Sequence, residues 1–308
     1  MMEKNNRISR RDFIRQTSVV TGAVVLGADV LNADAAPVLT AADWVPLGKK
    51  ASKLKIPRLG IGTGSNNGNI QRSLGQEGFN KLIRHCYDRG VRYIDTADNY
   101  RTHVYIREAI KGIPRENLFI QSKMPIRPDT LADPLKTIDR YRQELGTDYI
   151  DTLLIHCAMG EDWLEKTKPM MDGFDEAQRR GWIRAKGVSC HGLASLKASV
   201  KSDWLEVQLA RINPQGRYVD GSDPGVMAPQ GDVPEATKTL KAIHDKGRGI
   251  IGMKLCGNGD FTSAEDREKA MRFAMTCGFV DSVTIGFKSA AEVDESIERM
   301  NRALNSKG

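Results

Sequence analysis

Four residues whose chemical types suit proton transfer recur at regular distances along the chain: Asp95, Tyr100, Lys123 and His156. Lys123 follows Asp95 by 28 positions, and His156 follows Lys123 by 33. They lie in VRYIDTADNY, LFIQSKMP and YIDTLLIHCA, apolar runs rich in β-branched residues that end in polar ones. A phenol titrates near pH ~10, too high for ready proton exchange at neutral pH. A neighbouring ammonium is expected to lower that value. A carboxylate would hold the ammonium in place, and an imidazole would orient a carbonyl or hydroxyl by hydrogen bonding. Brought into one cup, the four groups would carry a proton to or from a carbonyl–alcohol pair while a hydride moves elsewhere.

Positioning them requires strands that end on a common face. Period-2 and period-3.6 patterns alternate through the chain. Strands are expected at Arg58–Gly64, then ending at Asp95, Lys123 and His156, then at Ile183–Ser189, Leu205–Ile212, Gly249–Leu255 and Asp281–Phe287. Helical spacing fills the gaps, as in Gln76–Arg89 with Phe79, Leu82, Ile83 and Tyr87, and in Trp163–Arg180. Asp133-Pro134 reads as a helix start, with Asp as cap and Pro in the first turn. Asn213–Asp232, rich in Gly, Pro and Asp, reads as a long loop. Eight strand–helix units make a single-domain α/β fold, a (β/α)8 TIM barrel over residues 57–308, with a leader and hairpin at 36–56. A doubly wound sheet is the alternative, disfavoured because no GxGxxG follows the first strand.

Composition narrows the function classes. A chain of 308 residues with 40% hydrophobic and 28% charged residues can bury a full core. The net charge of +7 is dispersed, without basic blocks interleaved with aromatics, so no nucleic-acid partner is expected. Anionic ligands are compatible with that charge. Five cysteines, an odd number without CxxC spacing, argue against a disulfide framework or a zinc ribbon.

Residues 1–35 carry Ser9–Arg15, SRRDFIR, then the mild apolar stretch Val19–Leu31 and Ala33-Asp34-Ala35. This segment resembles a twin-arginine signal peptide; the alternative is a basic first helix of the fold. The resemblance implies the Tat export machinery as a partner and a periplasmic or exported protein, tethered to the membrane if the signal is uncleaved. Asp29 interrupts the apolar run, so no stable membrane span is expected. Such machinery carries folded cargo, so a cofactor would travel bound.

From about Leu47 to the last helix the chain resembles the aldo-keto reductase family, through DTADNY, IQSKMP, LLIHCA and GVSCHG in that order. The resemblance implies an NAD(P)-dependent oxidoreductase acting on a small carbonyl or alcohol substrate. Tyr100 would be the general acid/base, Lys123 and Asp95 its tuning pair, and His156 the substrate-orienting group. Ser189 and Gln208 would hold the nicotinamide carboxamide, and Thr63 would approach the nicotinamide ribose. Leu255 and Gly257, within the loop to Gly259, would cover the pyrophosphate, and Lys288 and Ser289 would meet the adenosine-side phosphate. The chain departs from the family at Arg101, where Gly is usual, at Cys190, where Asn is usual, and at Glu292 and Ser296, where Arg and Asn are usual. NADP(H) is favoured through Lys288, with NAD(H) the alternative because a carboxylate at Glu292 repels a 2′-phosphate. The long substrate loop of many members does not follow the last helix, so an open pocket, or one completed by another subunit, is expected.

Three other readings stand beside this one. The barrel could bind cofactor without turnover, in an envelope or regulatory role. Cys157, Cys190 and Cys256 beside His156 and His191 invite a metal, against which small apolar packing is the expectation and no metal is assigned. Lys254 could form a Schiff base, but nothing nearby in sequence activates it.

Overall fold

The alternation of short apolar runs and amphipathic helices closes into a barrel in the computed structural model, which describes residues 37–49, 54–222 and 229–306. From Val38 onward the chain forms one compact unit. The segment read as an export signal lies outside the described residues. A hairpin of β1 (Trp44–Pro46) and β2 (Lys55–Pro57) precedes eight parallel strands. These are β3 (Leu59–Gly62), β4 (Tyr93–Asp95), β5 (Phe119–Pro125), β6 (Ile150–Ala158), β7 (Ile183–Cys190), β8 (Val207–Arg211), β9 (Gly249–Met253) and β10 (Ser282–Gly286). They pair in sequence order, and β10 closes the ring on β3 with Val283 opposite Leu59 and Ile285 opposite Ile61.

The core lies in two shells. Helix Gly75–Asp88 buries Phe79, Leu82, Ile83 and Cys86 against the strands, the face that the sequence spacing picks out. Inside the ring, Tyr93, Phe119, Leu154, Ala185 and Val207 form a second cluster with Leu47, Leu54 and Ile56 of the hairpin segment. The hairpin thus plugs the barrel at its N-terminal end, leaving the opposite end for chemistry.

Local chemistry explains where elements start and stop. Asp133 caps helix Pro134–Leu145 by accepting from the Lys136 backbone N–H at 2.9 Å, as its sequence predicts. The expected helix Trp163–Arg180 is two helices, Trp163–Lys166 and Lys168–Arg179, because Pro169 has no N–H to continue the first and fits the first turn of the second. β5 and β6 run two residues past Lys123 and His156, so both side chains stand on paired strand rather than on loop. Among the described residues no helix is long and apolar enough to cross a membrane.

At the barrel's N-terminal end, Asp281 accepts from the Ile250 backbone N–H at 2.9 Å, and burial pushes its carboxyl up to about 6. The folded state therefore holds this proton more tightly than an unfolded chain, where the group titrates near ~3.9. Its contribution favours folding below that value and turns into a cost as pH rises through 6. Asp281→Asn should match the parent at pH ~4 and exceed it by roughly 2 kcal/mol at pH ~8. Urea midpoints read this; an equal gain at both pH values would assign the effect to something other than ionisation.

Candidate active site

Asp95 is the last residue of β4, paired across to Gln121 on β5 and Gly62 on β3. Gln121 and Lys123 are two apart on one strand, so both point inward. Gln121 Nε2 donates to Asp95 Oδ1 at 2.7 Å and to the Tyr93 hydroxyl at 2.9 Å, and its Oε1 accepts from Thr152 on β6 at 2.9 Å. This buried amide fixes Asp95 from the side. Lys123, only 1% exposed, places Nζ 2.6 Å from Asp95 Oδ1 and donates to the Thr96 carbonyl at 2.9 Å.

Tyr100 closes a single 3-10 turn, Asp98–Tyr100, that leaves β4. Arg127 and Arg140 pin this turn through Asp98, at 2.6 and 3.0 Å. The Tyr100 ring lies 4.9 Å from Lys123 Nζ, and its hydroxyl lies 3.4 Å from His156 Nε2. The two rings are nearly perpendicular, with centroids 5.6 Å apart. All four residues singled out from the sequence therefore meet in one cup.

Gly64 completes this geometry by having no side chain. A Cβ there would stand 2.4 Å from the Tyr100 ring and 2.9 Å from its hydroxyl. Gly64→Ala should displace the phenol and lower turnover about a hundredfold, since a misplacement near 1 Å costs that much. Steady-state kinetics check this, and unchanged kcat would show that the phenol's position there is not critical.

Electrostatics correct one expectation. The phenol of Tyr100 is not lowered but pushed well up, by burial first and then by the charges of Asp95 and Cys157. Lys123 is close, but it faces the ring and is paired with Asp95, so its field at the hydroxyl is largely cancelled. Tyr100 thus holds its proton firmly. The imidazole of His156 is pushed well below its usual range, by burial and then by Lys123 and His191. It is neutral at pH ~7. Its Nδ1 is buried without a hydrogen-bond partner, while Nε2 faces Tyr100. Two neutral hydrogen-bonding groups therefore converge on one point between β4 and β6.

The residues expected around a cofactor divide. The Ser189 hydroxyl near the end of β7 is fully buried and has no partner among the described residues, an orphan of the kind a carboxamide would satisfy. Gln208 donates its amide to the carbonyls of Val188 and Leu209 at 3.3 and 3.0 Å. Its Oε1 takes only a long contact from Cys190 Sγ, at 3.8 Å. Leu255 is buried, and Gly257 (φ +55) packs against Phe261 in the short turn after β9. Thr63 does not face the cup: its buried hydroxyl donates to the Asp95 carbonyl at 3.0 Å and contacts Thr102 Oγ1 at 2.9 Å. It is a strut for β4.

Lys288 and Ser289 are already engaged by Glu292. Its carboxylate accepts from the Lys288 backbone N–H at 2.9 Å and lies 3.6 Å from Nζ, while Ser289 caps the last helix by accepting from the Glu292 N–H at 3.3 Å. An internal carboxylate thus occupies the helix N-terminus expected for the adenosine-side phosphate.

The sulfur and lysine alternatives also have definite surroundings. Cys157 Sγ lies 3.7 Å from His191 Nε2, while Cys190 Sγ contacts Ser199 Oγ at 3.4 Å. Burial pushes Cys190 and Cys256 up to about 11, so both remain thiols. Among the described residues, no group of three or more His, Cys, Asp or Glu side chains stands together as a metal would require. Lys254 donates to Asn258 Oδ1 at 2.6 Å, and burial lowers its ammonium.

Sequence reasoning missed Gln121, Gly64 and the buried pair Arg211–Asp220, whose Nη2–Oδ1 distance is 2.6 Å and which holds the start of the long loop. The i, i+2 spacing of Gln121 and Lys123 was a usable signal for the first. The other two depend on approach across distant segments.

The sequence model of the Aldo/keto reductase family matches residues 58–306. An aldo-keto reductase of Mycobacterium avium is 29% identical over 154 residues, 49% of this chain and 50% of that protein. An NAD/NADP-dependent indole-3-acetaldehyde reductase of Schizosaccharomyces pombe is 27% identical over 220 residues, 62% of this chain and 74% of that protein. The chain spans about half the length of the mycobacterial relatives that it matches. Among solved structures, an aldo-keto reductase from Bacillus halodurans shares the fold with a TM-score of 0.66 at 18% identity, over 86% of this chain and 91% of that one.

Proposed function

The chain belongs to the aldo/keto reductase family, and from that premise we propose that it is a nicotinamide-dependent oxidoreductase that reduces a small carbonyl substrate to its alcohol. The observation that carries the reading is the 3.4 Å approach of the Tyr100 hydroxyl and His156 Nε2 above the Lys123–Asp95 pair. Bound nicotinamide would supply the hydride. The chain's own residues do the rest. The carbonyl oxygen would accept hydrogen bonds from the Tyr100 O–H and the His156 Nε2–H, which fixes the tautomer of that ring. Tyr100 then gives its proton to the oxygen as negative charge develops there. The phenol is protonated, the form that donation to a carbonyl oxygen requires.

The Ser189 orphan fits the nicotinamide carboxamide, and the Lys288–Glu292 engagement opposes a 2′-phosphate. We therefore favour NADH over NADPH as the reductant. The aldehyde substrate named for the fission-yeast relative supports an aldehyde as the first class to test. Purified protein is to be mixed with each reduced cofactor and a panel of aldehydes, ketones and sugars. The expected result is loss of nicotinamide absorbance matched by alcohol formed, faster with NADH. Tight cofactor binding without turnover across the panel would replace this reading with a cofactor-binding barrel.

The export reading of SRRDFIR is part of the proposal. Replacing both Arg10 and Arg11 by Lys should move the protein from the periplasmic to the cytoplasmic fraction, and an unchanged distribution would remove the export assignment.

A further inference from the structure

Beside the Tyr100 turn, the barrel rim carries a cavity of about 730 Å³ whose wall includes Arg72, Arg101, Arg127, Arg140, Asp98 and Glu144. Small-molecule sites span about 300–1,000 Å³. The charges in this wall do not cancel. Asp98 is held by Arg127 and Arg140, and Glu144 by Arg140 at 2.7 Å and His103 at 2.8 Å. Among the described residues, Arg72 meets only neutral acceptors, the Gly68 carbonyl and Asn69 Oδ1. The exposed Arg101 side chain has no hydrogen-bond or ion-pair partner among the described residues. Two guanidinium groups therefore face the cavity without a carboxylate.

The backbone adds a second observation. Arg101 sits at φ 56 and ψ 35, the left-handed region. A residue with a Cβ is disfavoured there by about 1 kcal/mol or more. The chain accepts that strain to set an arginine, directly after Tyr100, at the cavity mouth. Consecutive Cα atoms are about 3.8 Å apart, so the backbone of a residue in the cavity wall directly adjoins that of Tyr100 in the cup. Guanidinium matches carboxylate and phosphate in a bidentate fork.

We infer that this cavity holds the anionic end, a carboxylate or phosphate, of an elongated carbonyl substrate, and that Arg101 and Arg72 determine the preference for it. The carbonyl end rests on the reductase reading above. The acidic end rests on the cavity alone. The net charge of +7 adds a long-range attraction for such substrates.

The test compares ω-oxo carboxylates of increasing length with their methyl esters, in the parent and in a variant carrying Arg101→Gly and Arg72→Gln. Glycine accepts the left-handed backbone, so the first change relieves strain rather than adding it. The quantity read is the ratio of acid to ester KM, from which a general loss of activity cancels. At low salt and the best chain length, the parent should favour the acid by about tenfold, the size of one charge-assisted hydrogen bond. The variant's ratio should rise from about one tenth to near one, and added sodium chloride should move the parent's ratio toward one but leave the variant's unchanged. Equal KM values for acid and ester at every length in the parent would overturn the inference. So would inorganic phosphate that binds as tightly as the best oxo acid in calorimetry, since this would mark a free-anion site. If neither acid nor ester is reduced, the reductase reading fails with it. Calorimetric binding of the acid that is lost in the variant would then show that the anion site itself survives that failure.

Discussion

Tyr100→Phe is expected to bind cofactor as the parent does and to lose turnover by about two to four orders of magnitude. The change removes one oxygen and keeps the ring that packs under Gly64 and over Lys123. General acid catalysis contributes on the order of 10²–10⁴ in rate, and no other side chain in the cup can replace it. His156 is neutral and can hydrogen-bond the oxygen, but giving up its Nε2 proton would leave an anionic ring in a buried site. Among the described residues the hydroxyl's one partner is His156 at 3.4 Å, a long bond, so stability should change little. Cofactor titration by fluorescence and single-turnover kinetics separate binding from chemistry. Turnover within a few-fold of the parent would end the assignment of Tyr100 as proton donor.

Lys123→Met should cost both stability and activity, and the two losses can be separated. Without the ammonium, Asp95 remains buried with, among the described residues, only the Gln121 amide at 2.7 Å to meet its charge. Breaking one half of a buried pair costs about 3–5 kcal/mol, and a chain of this size should then melt roughly 10 °C lower. Adding Asp95→Asn removes the stranded charge. The double variant should recover most of the stability while remaining slow, because Tyr100 still lacks the cation beneath its ring. If the double variant melts no higher than Lys123→Met alone, the stability loss does not come from a stranded carboxylate.

The candidate cup was legible because its residues end apolar runs, a pattern that belongs to the strand itself. Asp95, Lys123 and His156 each inherit their position from the barrel register, and that register follows from the alternation of runs and helices. Contacts between segments distant in sequence were less legible. Thr63 sits after the first barrel strand, as expected, yet its hydroxyl turns to the Asp95 carbonyl because β3 and β4 pair there. Glu292 was noticed as a charge out of place. Its grip on the Lys288 backbone emerges only when the last helix is capped by Ser289. The lowered phenol failed for a related reason: sequence spacing brings a lysine near a tyrosine but does not say whether the ammonium meets the hydroxyl or the ring. The break at Thr167 could have been read from Pro169, a signal that the sequence offers openly.

The closing seam has a consequence for the order in which this protein comes into being. Leu59 waits for Val283. At about 5–20 residues per second, the ribosome needs on the order of tens of seconds to deliver the last strand after the first has emerged. Until then β3 and β9 each have an unpaired edge, and the cup is an arc whose apolar interior lies open on one side. Closure of the barrel is therefore a single late event that waits for β10 to emerge. On the proposed export reading, a carrier would have to wait for that event, because an unclosed sheet can still pair with a neighbour.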